Sequence, residues 1–263
     1  MSTPYFALLV EALVAPLLIR QGRTLRRSIP RLPEPEGARE GKFGTGAPLR
    51  VMLIGDSAGA GVGVATQAEA LSGQLLELLA GYFTVHWQLH AKTGYTTRDV
   101  KQLLADVAAT QVDVVITSIG LNDVLARQSG AAFLAAQRAL LDLLRERYAP
   151  SLILLTAVPP LGDFPGFPQP LRWVMHARRN WLDAQLMHLC REREECEHLK
   201  LPGPLSMTDM ASDGFHPGPQ LYRLWATVAA GRIIERFGDV RNQGVGQVEV
   251  EDDQSGERYR AEL

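Results

Sequence analysis

The stretch Val51-Met-Leu-Ile-Gly-Asp-Ser57 indicates how this chain folds. Its apolar residues, 51–54, predict a parallel strand buried on both faces, because such a strand does not alternate apolar and polar side chains. A glycine ends the strand, and residues 65–80 have the composition of a helix. Ser57 therefore lies between a parallel strand and a helix, where open α/β sheets bind ligands and where helix amides can face an anion.

The glycines that follow Ser57 fit neither of two nucleotide-binding motifs. A dinucleotide fingerprint has glycine at its sixth position, where this sequence has valine or threonine, depending on which glycine begins the count. A phosphate-binding P-loop ends in Gly-Lys-Ser/Thr, and the sequence has no lysine between Arg50 and Lys92. Taken alone, the segment also fits an ordinary glycine-rich turn from a strand to a helix.

The composition is that of an ordinary globular protein. Apolar residues make up 46% and charged residues 21% of the 263 residues, as in soluble domains. This length allows one large domain or two small ones with a sizeable core. The formal net charge of -2 provides no basic field, which argues against nucleic acid as a partner.

Two cysteines, Cys190 and Cys196, lie in a charge-dense run of helical composition. The rise between them on a continuous helix is about 9 Å, which exceeds the roughly 7 Å Cα separation of a disulfide. We therefore expect free thiols, which favour a cytoplasmic or peripherally membrane-associated protein over a secreted one. The pair also lacks metal-ligand spacing.

The amino-terminal residues 5–19 are apolar except for Glu11 and are followed by several arginines. A signal peptide carries its positive charge before the apolar core, and about 20 apolar residues are needed to span a bilayer. Two interpretations remain open. One is a helix docked on the globular domain or on a second subunit. The other is peripheral membrane contact through residues 5–31, with the arginines on anionic head groups.

Composition divides the chain into three parts. Residues 1–48 combine the apolar and basic helix with a linker, rich in proline and glycine, from residue 30 onward. Residues 49–238 form the predicted globular domain. Residues 239–263 form an acidic tail that we expect to be weakly ordered. The sequence does not predict an oligomeric state.

Predicted strands alternate with predicted helices in the globular domain. The strands are residues 51–54, 83–89, 112–119 and 152–158, with a short one near 199–201. The helices are residues 65–80, 98–109, 131–148, 170–197 and 220–237. This alternation is typical of a parallel sheet with helices on both faces. The loops after the strands then meet at one edge of the sheet.

Asp213 and His216 are three residues apart in a turn and can form part of a catalytic triad. A carboxylate at this distance can accept the Nδ1 proton of the imidazole, which leaves Nε2 free as a base. Such a base can take the proton of Ser57, whose hydroxyl is otherwise a weak nucleophile. The alternative is that Asp213 caps a turn and that His216 is a surface residue.

A serine that attacks an acyl carbon also needs hydrogen-bond donors for the developing oxyanion. The backbone N–H groups of Ser57 and Gly94 and the side-chain amide of Asn122 can supply three. Glycine suits this role because a backbone without Cβ can come close to a ligand. Asn122 on its own is more typical of a turn.

Four segments, taken together, resemble a known family. They are Gly55-Asp-Ser57, Gly94, Gly120-Leu-Asn-Asp123 and Asp213-Gly-Phe-His-Pro217, and they look like the four sequence blocks of the SGNH hydrolases, also called GDSL esterases or lipases, in the family's order. Ala58 stands where the family name has leucine. The resemblance implies a flavodoxin-like three-layer α/β/α sandwich with a five-stranded parallel sheet.

The resemblance also implies the roles of the site residues. Ser57 would be the nucleophile, His216 the base and Asp213 its orienting partner. Ser57, Gly94 and Asn122 would donate to the oxyanion. No cofactor is implied, and the histidines and cysteines have no zinc or calcium spacing, so we expect metal-free chemistry.

The remaining polar candidates have structural explanations. Asp56 and Asp123 are expected to hold their loops by hydrogen bonds to backbone amides. His86 and His90 lie on a predicted strand, about 13 Å apart and too far to share a metal ion. The other histidines are expected on solvated helical surfaces; they are His176, His188 and His198.

The long loop at residues 159–170 follows a predicted buried strand. Long loops in compact domains are usually functional. Phe164 and Phe167 are therefore candidates for the wall of an acyl pocket. The alternative is that these two aromatic side chains only seal the core beneath the loop.

These residues predict a serine esterase that hydrolyses small-molecule carboxylic esters of small to medium acyl chain through an acyl-serine intermediate. Within the same fold, a carbohydrate O-deacetylase would have an open polar cleft. A lysophospholipase or thioesterase would suit an amino-terminal segment that touches a membrane. A binding protein without turnover would not need a nucleophile, a base, an orienting acid and oxyanion donors together.

Overall fold

The apolar residues at 51–54 lie in the interior of a six-stranded sheet in the computed structural model. The structure describes residues 4–126, 128–160, 167–202 and 206–242. The strands are β1 Glu40–Phe43, β2 Ala47–Gly55, β3 Phe83–Ala91, β4 Val114–Ser118, β5 Leu152–Thr156 and β6 Cys196–Leu199. Their order across the sheet is β1-β3-β2-β4-β5-β6. All neighbouring pairs are parallel except β1 with β3.

Helices cover both faces of this sheet. They are α1 Pro4–Ser28, α2 Ser57–Ala60, α3 Leu71–Leu79, α4 Thr97–Asp106, α5 Leu121–Leu125, α6 Gly130–Tyr148, α7 Leu171–Arg191 and α8 Pro219–Asn242. Alternate residues of β2 point to opposite faces: Val51 and Leu53 pack with α3 and α8, and Met52 and Ile54 pack with α4 and α6. Both sets are buried, which explains the unbroken apolar run. The predicted three-layer sandwich is confirmed.

The sheet has one strand more than the five expected. Strand β1 lies in the segment that the sequence indicated as a linker, and it pairs antiparallel to β3 at the edge of the sheet. All four of its residues are exposed. An edge strand with no buried face has no hydrophobic alternation by which to recognise it.

The expected helix at residues 65–80 was wrong in its first part. The short helix α2 ends at Gly61 in the left-handed conformation (φ 93°), and α3 begins only at Leu71. Between them, the Glu69 carboxylate accepts the backbone N–H groups of residues 65 and 66, and the Gln67 N–H donates to the carbonyl of Glu36. These bonds satisfy the backbone without a helix.

The expected helix at residues 170–197 was too long. Helix α7 ends at Arg191, and Cys196 begins strand β6, which lies earlier than the short strand expected near 199–201. The two cysteines therefore do not share a helix. Both are free, and burial raises the pKa of each thiol to about 12.

The carboxyl-terminal half of α1 packs on the domain. Leu18 is buried against residues of α7, and the Gln21 side chain donates to the carbonyl of Gln169 at 2.7 Å and accepts the N–H of Leu171 at 3.2 Å. These contacts agree with the docked-helix interpretation for this half. None of the helices in the described ranges is long and apolar enough to cross a membrane.

The first residues of the predicted acidic tail are helical. Helix α8 continues through Asn242, four residues into the segment expected to be weakly ordered. The rest of that segment, from residue 243, lies outside the described residues.

Candidate active site

Ser57 is the first residue of α2, at the tight turn that follows β2. Asp56 precedes it and caps the helix, since its Oδ1 accepts the N–H of Ala58 at 3.1 Å. The N–H of Asp56 donates to the carbonyl of Ser118 at 2.9 Å, which ties the turn to the end of β4. The Ser57 side chain thus projects from a turn that is fixed on both sides.

Asp213 and His216 are held together by the turn before α8. The His216 ring Nδ1 lies 2.6 Å from Oδ2 of Asp213, and Oδ1 of Asp213 accepts the backbone N–H groups of Phe215 and His216 at 2.9 and 3.0 Å. Burial raises the pKa of Asp213, but these hydrogen bonds outweigh it and leave the pKa below its ordinary value. The carboxylate is therefore ionised and orients the imidazole.

The same imidazole reaches Ser57 on the other side of the cleft. His216 Nε2 lies 3.0 Å from the Ser57 hydroxyl oxygen, although the two residues are 159 positions apart in the chain. With Nδ1–H donated to Asp213, Nε2 is free to accept the Ser57 proton. The Asp213 side chain is fully buried and that of His216 is 13% exposed, so water competes weakly for these bonds.

Gly94 and Asn122 border the same opening as Ser57 and His216. Gly94 has a φ of +87°, and a Cβ at this position would meet open space, so its backbone faces the opening without cover. The Asn122 side-chain amide donates to the carbonyl of Tyr95 at 3.0 Å and lies 3.5 Å from Oδ2 of Asp56. The residues predicted as oxyanion donors therefore line the same cleft as Ser57.

Asp56 and Asp123 hold the loops, as predicted. Asp123 Oδ2 accepts the backbone N–H and the hydroxyl of Thr97, both at 3.1 Å, which joins the loop after β4 to the start of α4. Burial raises the pKa of Asp56 to about 7 and also raises that of Asp123. Both carboxyl groups are therefore harder to ionise than an exposed one.

Glu34 is a residue of the site that the sequence analysis missed. It lies in the segment of residues 29–39 that follows α1, which we call the strap. Its carboxylate accepts the backbone N–H of Thr93 at 2.7 Å and the Thr93 hydroxyl at 2.8 Å, and it pairs with Arg39 at 3.1 Å. Burial raises the pKa of Glu34, but these contacts outweigh it and lower the pKa overall. No local motif marks the residue, since Thr93 is 59 positions away.

Within the described part of the chain, a large cleft and a small chamber both open on Ser57 and His216. The large cleft has a volume of about 1100 Å³ and also contains Gly94, Asn122 and Phe167. The small chamber, of about 300 Å³, lies on the side of Asp56 and is bordered by residues of β5 and α8. The Phe167 side chain is 2% exposed, and it both borders the large cleft and packs in the apolar cluster beneath it. Phe164 lies outside the described residues.

Of the histidines other than His216, His198 lies in a different element from the one expected. His86 and His90 lie on β3, as expected. His198 was expected on a helical surface, but it lies on β6 with its Nε2 3.0 Å from Asp183, because the predicted helix ends before it. Among the described residues, no group of three or more His, Cys, Asp or Glu side chains is arranged to hold a metal ion.

Comparison with protein families gives one match to most of the domain. Residues 53–224 match the model of the GDSL-like Lipase/Acylhydrolase family. None of the curated proteins compared with the chain matches it.

Several solved structures share the fold. A family 3 carbohydrate esterase of Clostridium thermocellum is 16% identical, with a TM-score of 0.60 over 74% of this chain and 99% of that one. The inhibitor-bound aryl esterase of M. Smegmatis is 16% identical, with a TM-score of 0.57 over 71% and 99%. Est24, a carbohydrate acetylesterase from Sinorhizobium meliloti, is 18% identical, with a TM-score of 0.56 over 72% and 100%.

Proposed function

The chain belongs to the GDSL-like Lipase/Acylhydrolase family and is a carboxylic ester hydrolase, and we propose that it acts as a serine esterase through a covalent acyl-serine intermediate. The membership confirms both the resemblance to SGNH hydrolases and the expected reaction class. The roles of individual residues are our proposal. The observation that carries it is the unbroken contact from Asp213 through His216 to Ser57, at 2.6 and 3.0 Å, beside an open cleft.

The first half of the reaction forms the acyl-enzyme. The Ser57 oxygen attacks the ester carbonyl carbon while His216 Nε2 accepts the hydroxyl proton. The negative charge on the former carbonyl oxygen is stabilised by the N–H groups of Ser57 and Gly94 and by the Asn122 amide. The imidazolium is stabilised by the ionised Asp213 and then gives its proton to the departing alkoxide, so that the alcohol leaves and the acyl group stays on Ser57.

The second half hydrolyses this intermediate. His216 removes a proton from a water molecule as its oxygen attacks the acyl carbon, and the same donors stabilise the second oxyanion. When this tetrahedral intermediate collapses, the bond to the Ser57 oxygen breaks and the serine recovers its proton from His216. The products are a carboxylic acid and the free enzyme.

The side chains that line the large cleft favour an apolar substrate over an acetylated sugar. A carbohydrate O-deacetylase calls for a polar, open cleft, whereas the walls of the large cleft carry mainly aliphatic and aromatic side chains. They include Leu18, Leu25, Phe167, Leu171 and Val174.

Replacement of Ser57 by alanine tests the proposed reaction. The variant removes one hydroxyl from a side chain that is 9% exposed, so the fold and the melting temperature should be retained. We expect kcat for p-nitrophenyl ester hydrolysis to fall by about 10⁴-fold or more. An organophosphonate should label the native protein at Ser57 and leave the variant unlabelled. Substantial hydrolysis by the variant would contradict the proposal.

A further inference from the structure

One wall of the large cleft comes from outside the part of the chain that matches the family. The match begins at residue 53, yet the cleft is bordered by α1 and by the strap. Their side chains in the cleft include Leu18, Ile19, Leu25, Ile29 and Leu32. This wall extends the site well beyond the residues that perform the reaction.

The wall is fixed to the domain at both ends. At α1, Gln21 exchanges two hydrogen bonds with the start of α7, at 2.7 and 3.2 Å. At the strap, Glu34 binds the backbone N–H and the hydroxyl of Thr93, directly before Gly94. The strap also pairs with residue 66 through a parallel bridge at Glu36. These bonds place the wall at a defined distance from the reacting atoms.

Part of the apolar surface inside the cleft is accessible. Four of the apolar residues that border the cleft differ in exposure: Leu18 and Phe167 are almost fully buried, at 5% and 2% exposure, whereas Ile19 and Leu125 remain 40% and 38% exposed. Large aliphatic side chains that stay exposed in a concave site mark a surface for an apolar ligand.

The small chamber on the other side of Ser57 carries charged as well as apolar side chains, as the large cleft does, but it is much smaller, at about 300 Å³ against about 1100 Å³. It is bordered by Asp56, Thr156, Arg179 and Lys200. An ester divides at its carbonyl carbon into an acyl and an alcohol half, and the two cavities meet at the attacking oxygen. The large cleft has the room and the exposed aliphatic side chains for an apolar acyl chain, and the small chamber is left for the alcohol half.

Gly22 is a position in this wall where a side chain can be added without a clash. It lies inside helix α1, where glycine costs about 1 kcal/mol relative to alanine. It borders the cleft, and a Cβ added to it would meet no atom within 4 Å. A side chain at this position would enter open space at the border of the cleft, and we expect a large one to narrow the cleft.

We propose that α1 and the strap form the wall of an acyl-binding groove and that this wall selects esters with a long apolar acyl chain. The inference rests on the proposed serine-esterase reaction and adds the substrate class and the segment that determines it. From the sequence we expected small to medium acyl groups, with a lysophospholipase as an alternative if the amino-terminal segment touches a membrane; the position of residues 18–34 beside the site was not expected.

The test is Gly22→Trp in the full-length chain, with Gly231→Trp as its matched control. Gly231 also lies inside a helix, and its Cβ would likewise meet no atom within 4 Å. It borders neither the large cleft nor the small chamber. The measurement is kcat/KM for p-nitrophenyl acetate, hexanoate and decanoate, with melting temperatures to verify folding. Gly22→Leu, a smaller change, is a second variant in case the indole disturbs the docking of α1.

We expect the native protein and Gly231→Trp to prefer decanoate to acetate. In Gly22→Trp, kcat/KM for decanoate should fall by about tenfold or more, which is equivalent to about two methylene groups that are no longer buried. Its kcat/KM for acetate should stay at the native value. Gly22→Leu should fall between. The groove is refuted if both Gly22 variants keep the native chain-length profile, if they lose all substrates equally, or if the native protein prefers acetate. Because Ser57→Ala tests the chemistry separately, failure of the groove does not imply failure of the esterase reaction.

Discussion

Replacement of Asp213 by asparagine should inactivate the enzyme while it leaves the turn intact. The two oxygens of Asp213 have separate tasks: Oδ1 accepts two backbone N–H groups, and Oδ2 faces His216 Nδ1 at 2.6 Å. Asparagine can keep the first task with its remaining oxygen. Its NH₂ group would replace Oδ2 and offer a donor to Nδ1. A neutral imidazole then carries its proton on Nε2 and cannot accept one from Ser57.

The size of the loss follows from this change of tautomer. The variant removes a charge-assisted hydrogen bond at a side chain that is fully buried, so solvent does not replace it. Loss of the aspartate in such a triad, with geometry kept, lowers kcat by about 10⁴-fold, or about 5.5 kcal/mol of transition-state stabilisation. Because both backbone bonds can remain, the free energy of unfolding should change by only about 1 kcal/mol.

The assay is kcat for a p-nitrophenyl ester near neutral pH, together with urea denaturation of both proteins. The lowered pKa of Asp213 keeps the native carboxylate ionised at this pH, so the comparison is between a charged and a neutral partner. A variant that folds and retains more than about a tenth of the native kcat would refute the role given to Asp213.

Two further carboxylates give separate expectations. Glu34→Ala should release Thr93 and the adjacent Gly94, lower kcat by about tenfold and lower the free energy of unfolding by about 1.5–3 kcal/mol. Glu34→Gln should have a smaller effect on both. An unchanged kcat in Glu34→Ala would contradict the view that Glu34 positions the Gly94 loop. Because the pKa of Glu34 is lowered, its stabilisation is present above the unfolded pKa of about 4.3 and is lost as the pH falls below that value. The pKa of Asp56 is raised to about 7, so the folded state binds one more proton than the unfolded state from about pH 4 to 7. The contribution of Asp56 to the free energy of unfolding therefore falls as the pH rises through this window. Asp56→Asn should remove this pH dependence, which urea denaturation at pH 5 and pH 8 would measure. If the free energy of unfolding changes equally with pH in the native protein and the variant, Asp56 is not its source.

Most of the sheet could be predicted because its signal is local. The run at residues 51–54 is apolar because β2 has helices on both faces, and a buried strand needs no other partner to be recognised. The pairing of Asp213 with His216 is also local, since three residues of one turn separate them. The approach of Ser57 to His216 follows only when the carboxyl ends of parallel strands are placed at one edge.

The features that the sequence did not predict depend on contacts between distant residues. The backbone at residues 65–70 turns because Glu69 accepts its N–H groups and because Gln67 pairs with the strap, and helix propensity does not include such partners. Strand β1 has no buried face. His198 contacts Asp183 across two elements whose boundary the composition placed too late.

The chemistry and the choice of substrate involve different parts of the chain, and this division has a testable consequence. Ser57 begins α2, and Asp213 and His216 lie in the turn before α8, all within the family-matched domain, whereas the proposed groove wall lies before it. The two parts meet where Glu34 binds Thr93 at 2.7 and 2.8 Å. A change in the wall that keeps this contact should alter the preferred chain length and leave the rate on acetate unchanged. A change at Glu34 should lower the rate on every ester, because it moves the loop of an oxyanion donor that all substrates share.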